Sequence, residues 1–156
     1  MVQAKVRLNF PATRQFTMET GSGHHLIIDD AIGHTGPKPI ELLAGALAGC
    51  TAFDVITVLS NKKHQDVSAY EVSVDAEQRQ APPQVFTTVH IHQTVTGRNI
   101  DARAVEDAIH LSESKYCSVG AMVRKSGAEI RTTYSIRDLQ NPFSEEVITL
   151  EPALAG

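Results

Sequence analysis

Residues 41–60 read ELLAGALAGCTAFDVITVLS, and the arrangement of their apolar side chains decides the fold. Wound at ~100° per residue, Ile40, Leu42, Leu43, Ala46, Leu47, Phe53, Val55, Ile56, Val58 and Leu59 fall on nearly every side of a helix. A helix without a polar stripe is covered on most of its faces. Pro39 suits the first turn of such a helix, and the basic residues of NKKH (61–64) suit its C-terminus. At its centre Cys50 stands among Ala44, Gly45, Ala46, Ala48, Gly49, Thr51 and Ala52. Two readings of that thiol stay open at this stage. It is a small packing residue, or a nucleophile with room beside it for a reactant.

Outward from this helix the pattern changes to a period of two. VQAKVRLNF (2–10) sets Val2, Ala4, Val6 and Leu8 against Gln3, Lys5 and Arg7, which predicts a half-buried strand. PATRQFTME and GSGHHLIID continue as short meander strands behind a Pro11 turn and a glycine turn. After the helix, SAYEVSVDAEQRQ and QVFTTVHIHQTVTG form a predicted hairpin across APPQ. DARAVEDAIHLSESKY predicts a second helix with Ala104, Val105, Ala108, Ile109 and Leu111 on its apolar side. SVGAMVRK predicts a short third helix, and AEIRTTYSIRD a last strand. The order βββ-α-ββ-α-α-β defines an α+β fold. Residues 1–138 carry the pattern, and 139–156 read as a C-terminal tail.

The chain has 156 residues and a net charge of −4. That length suffices for a core without disulfides, and the charge gives no nucleic acid a basic face. Glu41, Asp54 and the Gly and Thr residues of the central segment argue against a bilayer span, so no membrane partner is expected. MVQAKVRLNF lacks the apolar run of a signal peptide, and a cytoplasmic location is expected. In that compartment two cysteines are free or catalytic rather than a structural bridge. Cys50 and Cys117 lie 67 positions apart, which matches no zinc-ligand spacing. His90 and His92 share a strand face with no third ligand near in sequence. They are read as a solvent-facing side, and neither metal nor cofactor is expected. A helix covered on all sides in a chain of this size predicts a second copy supplying the cover, hence a homodimer.

Cys117 begins a short helix, where backbone N–H groups and the helix dipole favour a thiolate, and Lys115 lies two residues before it. A thiolate attacks a peroxide O–O bond to give a sulfenic acid, and a second thiol condenses with that to a disulfide. Two cysteines on separate helices suit this chemistry. With these residues in view, GPKPIELLAGALAGCTAFDVITVL (36–59) and LSESKYCSVGAMV (111–123) together resemble the OsmC/Ohr family, in its YhfA-like branch. The resemblance extends over about residues 1–138. It implies an intertwined homodimer with antiparallel sheets wrapped around long central helices. The implied activity is thiol-dependent reduction of organic hydroperoxides, with Cys50 as attacking thiol and Cys117 as resolving thiol. The implied reductant is a dithiol, either a lipoylated protein or a thioredoxin-like one.

The family pattern also implies an arginine and a glutamate that hold the attacking thiolate. The glutamate belongs ten positions before the first cysteine, where this chain has Ile40. Glu41 is the neighbouring candidate, although nine residues at ~100° each point it about opposite to Cys50 on a continuous helix. Asp54, one turn after Cys50, shares its face and is the other carboxylate that could stand in. Arg14 is the arginine candidate, because it follows the first turn, with Arg7 in reserve on the polar face of the first strand. Leu43 and Leu47, two turns and one turn before Cys50, would line a space for an apolar peroxide tail. The alternative reading is a binding module that holds a small apolar or thiol-reactive molecule without turnover.

Overall fold

The structure, a computed structural model, describes residues 1–30, 32–141 and 145–151. It divides into two units, residues 1–43 and the chain from Ala44 onward, with the boundary inside the central helix.

The first unit is an antiparallel meander of β1 (Ala4–Phe10), β2 (Gln15–Thr20) and β3 (His25–Ile28). Val6 pairs with Met18, and Met18 with Leu26, so the alternation fixes the register. β1 forms as expected but is not half-buried. Val6 and Leu8 remain about half exposed, because nothing within the unit covers that face. The loop after β3 is built around Asp29, whose carboxylate accepts from Asp30 N at 2.8 Å, Thr35 N at 3.2 Å and the Thr35 hydroxyl. A Cβ on Gly33 would fall 2.2 Å from Asp29 Oδ2, so this turn requires glycine. These hydrogen bonds, the Thr35 hydroxyl first, hold the Asp29 carboxyl below its ordinary pKa.

Helix α1 runs from Pro39 to Thr57, and a π-type turn extends it through Lys62. The Glu41 carboxylate reaches back to Lys38 N at 2.8 Å, which closes the first turn as a capping box does. Together Pro39–Lys62 make 24 residues, long and apolar enough to cross a membrane by length and composition. This corrects the sequence reading: Glu41, Asp54 and the small residues of the segment do not break the apolar run. Along one stripe Leu47, Thr51, Val55, Val58 and Leu59 are buried in the protein.

The second unit has a four-stranded sheet in the order β4 (Asp66–Gln78), β5 (Phe86–Arg98), β6 (Glu129–Asp138), β7 (Val147–Leu150). β4 and β5 form the expected antiparallel hairpin. β5 and β6 run parallel, which refines the expectation of purely antiparallel sheets. Parallel neighbours need a crossover, and helices α2 (Ala102–Leu111) and α3 (Ser118–Lys125) supply it. Asp101 caps α2 by accepting from Arg103 N at 3.0 Å. Val55, Val58 and Leu59 of α1 pack with Val105, Ala108 and Ile109 of α2 and with Val95 and Tyr134 of the sheet. Within the expected tail, Val147–Leu150 adds an antiparallel edge strand to β6. Residues 142–144 and 152–156 of that tail lie outside the described residues.

Candidate active site

Cys50 and Asp54 project from the same side of α1, one turn apart. Cys117 meets them from a different element. A π-type turn, Ser112–Tyr116, follows α2 and delivers Cys117 in an extended conformation as the N-cap of α3. The Cys50 and Cys117 sulfurs and an Asp54 carboxylate oxygen all lie within 4.8 Å of one another. Both cysteines are free; Cys117 is buried and Cys50 half-buried. The solvent-side thiol is thus the one the resemblance assigns to attack.

Buried Ser112 ties the site together. Its hydroxyl donates to Asp54 Oδ2 at 3.1 Å, while its carbonyl accepts from Cys117 N at 2.8 Å. The Cys117 sulfur accepts from Gly120 N at 3.2 Å and lies 3.9 Å from the Thr51 hydroxyl. A Cβ on Gly120 would come 3.2 Å from that sulfur and 3.6 Å from Leu47 Cδ1, so glycine keeps space at the thiol. Burial, followed by the hydrogen bond with Cys50, pushes the Cys117 thiol up to about 11, against the opposing effect of Gly120 N–H. Cys117 is therefore protonated at neutral pH. Tyr70, whose hydroxyl donates to Gln93, is pushed up by burial and then by the Asp54 charge. The buried Gln93 Nε2 has no hydrogen-bond partner among the described residues. Beside the site, Lys62 Nζ donates to Tyr116 at 3.0 Å and lowers its pKa.

Of the residues expected from sequence, Cys50, Cys117 and Asp54 converge, and Leu47 packs beside Gly120 next to the Cys117 sulfur. Leu43 is exposed at the end of the first unit. Glu41 is engaged by Lys38, through the backbone N–H and an ion pair at 3.3 Å. Arg14, at a positive φ of 51°, forms an ion pair with Asp30 at 2.6 Å, and Arg7 pairs with Glu19. A cavity of ≈ 200 Å³ within the first unit is lined by Arg14, Phe16, Ile28, Asp29, Asp30 and Pro39. His90 and His92 are not a solvent-facing pair. They are half-buried, and both bond the Thr133 hydroxyl, at 2.8 and 2.7 Å. The sequence reading missed Ser112, Thr51 and Gly120. Only their nearness in sequence to the two cysteines could have drawn attention to them.

A long helix carrying one thiol, a sheet behind it and a second thiol at the N-cap of α3 define a class, and comparison agrees. Residues 32–133 match the family model for OsmC-like proteins. The chain belongs to the OsmC-like family. It is 40% identical over 111 residues to Protein YhfA of Escherichia coli K12, covering 71% of this chain and 82% of the relative. Among solved structures it is similar to a hypothetical protein from Aquifex aeolicus VF5 (TM-score 0.76, 26% identity, 87% and 96% of the two chains). An organic hydroperoxide resistance protein OsmC from Legionella pneumophila shares the fold (TM-score 0.63, 17% identity, 86% and 96%).

Proposed function

We propose that this protein reduces organic hydroperoxides through its two thiols, in the cytoplasm and as a homodimer. The observation that carries the reading is the meeting of the Cys50 and Cys117 sulfurs with a carboxylate between two helices. Cys50, half-buried and flanked by glycine and alanine, attacks the peroxide. Its thiolate takes one oxygen, the O–O bond breaks, and the alkoxide leaves as the alcohol once protonated, so Cys50 becomes a sulfenic acid. Cys117 then attacks the Cys50 sulfur and expels water, closing the disulfide. Cys117 must lose its proton for this step, and Asp54, held by Ser112, is the base within reach. A cellular dithiol restores both thiols by exchange. The apolar side chain of Leu47, beside Gly120 and the Cys117 sulfur, favours an organic over an inorganic peroxide.

One observation favours the second reading, a binder without turnover: Glu41 is bound to Lys38, and Ile40 fills the position of the family glutamate. Cumene hydroperoxide added to the reduced chain separates the two. On the peroxidase reading a Cys50–Cys117 disulfide forms quickly by peptide mass spectrometry. Cys50→Ser abolishes peroxide consumption, and Cys117→Ser consumes about one equivalent, then stalls with Cys50 oxidised. Thiols unchanged after hours would establish the binder.

A further inference from the structure

We propose that the reduced site also binds a thiophilic divalent cation of the zinc class, through the Cys50 and Cys117 sulfurs and an Asp54 carboxylate oxygen. This goes beyond the peroxidase reading and stands without it. The three ligand atoms already lie within 4.8 Å of one another. A tetrahedral centre with metal–sulfur bonds of about 2.3 Å sets its sulfurs ~3.8 Å apart. Closure on a cation therefore takes at most about an ångström between the sulfurs and ~1.3 Å between sulfur and carboxylate oxygen. Cys50 and Asp54, four residues apart on α1, present two ligands from one helix face, and the α3 N-cap presents the third.

The donor set selects the metal class. Calcium and magnesium take oxygen ligands, and copper(I) selects sulfur without carboxylate, whereas two thiolates with a carboxylate suit zinc. The surrounding bonds are those of a supported site. Ser112, itself fully buried, donates to Asp54 Oδ2 and so orients the carboxylate that offers an oxygen to a cation. Gly120 N–H fixes the Cys117 sulfur. Three protein ligands leave a fourth position open, and Cys50 is half-buried rather than sealed, so the cation has an approach. The site is also redox-gated. One hydroperoxide and the two thiols give a disulfide, an alcohol and water, a two-electron oxidation of sulfur that removes both sulfur ligands and releases the cation.

Cobalt(II) added to the reduced full chain reports on this directly, because thiolate ligation produces intense near-ultraviolet charge-transfer absorption. The expected result is one equivalent bound with that absorption, and its displacement by one equivalent of zinc. Affinity should fall at least about tenfold in Asp54→Asn and in Ser112→Ala. The band should vanish in Cys50→Ser, in Cys117→Ser and in wild-type chain oxidised to the disulfide. The oxidised wild type needs no substitution, so it answers even where a variant folds poorly. Cobalt binding without the thiolate band, or affinity unchanged by oxidation or by Asp54→Asn, would overturn the site. Peroxide consumption is followed separately, so failure of either idea leaves the other standing.

Discussion

The two units of this chain are stabilised in opposite ways. From Ala44 onward, fully buried Val55, Leu59, Val95, Val105, Ala108, Ile109 and Tyr134 form an apolar core between helices and sheet. Among the described residues of 1–43 the buried side chains are Ile28 and Asp29, and the loop carries hydrogen bonds to the Asp29 carboxylate. A three-stranded sheet with Val6, Leu8 and Phe10 exposed lacks a core of its own. The difference teaches that the thiol site belongs to the unit with an apolar core of its own, whereas the meander has none.

The strongest way to break that contrast is a paired truncation. Ile109→Ala should cost about 2–5 kcal/mol by urea unfolding, through lost burial and a residual cavity. Leu8→Ala, studied in dilute monomeric chain, should stay within about 0.5 kcal/mol. Equal costs would mean that the meander is packed after all. Next in size is the cover. A homodimer burying more than ~2,000 Å² in total is expected, with Phe53, 78% exposed in one chain, among its contacts. Phe53→Asp should then convert the dimer to a monomer by light scattering. A folded wild-type monomer at micromolar concentration would remove the idea.

A smaller effect sharpens the chemistry of the second unit. The Cys117 thiol ionises at about 11 instead of its ordinary 9.0. Its alkylation in the reduced chain should therefore keep rising, about tenfold per pH unit, from pH 7 to beyond pH 9. The unfolded chain loses that proton first, so this thiol lowers stability as pH climbs through 9.0 towards about 11. A plateau in alkylation near pH 8 would show that the thiol is not held protonated. The smallest effect belongs to the meander. Arg7→Ala breaks an exposed ion pair with Glu19 and should change stability by about 0.5 kcal/mol or less.

Much of this was legible in the sequence, for reasons that are local. Period-two alternation marked β1, β4 and β5, and the apolar residues around Cys50 marked α1. Ala104, Val105, Ala108 and Ile109 marked the buried face of α2. Each signal depends only on which side chains neighbours in sequence present to one face. The two cysteines were legible as chemistry-bearing residues, and the family from the stretches around them. Burial of β1 was misjudged because alternation shows which face is apolar but not whether anything covers it. The bilayer test was misjudged because isolated charges were weighed above helix length.

What the sequence by itself determined is the inventory: elements, their order, their apolar faces, and two thiols outside any zinc spacing. Only the tertiary structure decided that Cys50, Cys117 and Asp54 converge, that Ser112 links a carboxylate to the turn before Cys117, and that Glu41 is engaged in closing its own helix. Residues 112 and 54 are brought together by α1 and α2 packing their apolar faces on the sheet. Helix propensity and strand alternation act over a few residues, whereas such a contact is set by how whole elements bury their surfaces. Spacing along the chain could therefore name the chemistry-bearing residues, but not the site they make.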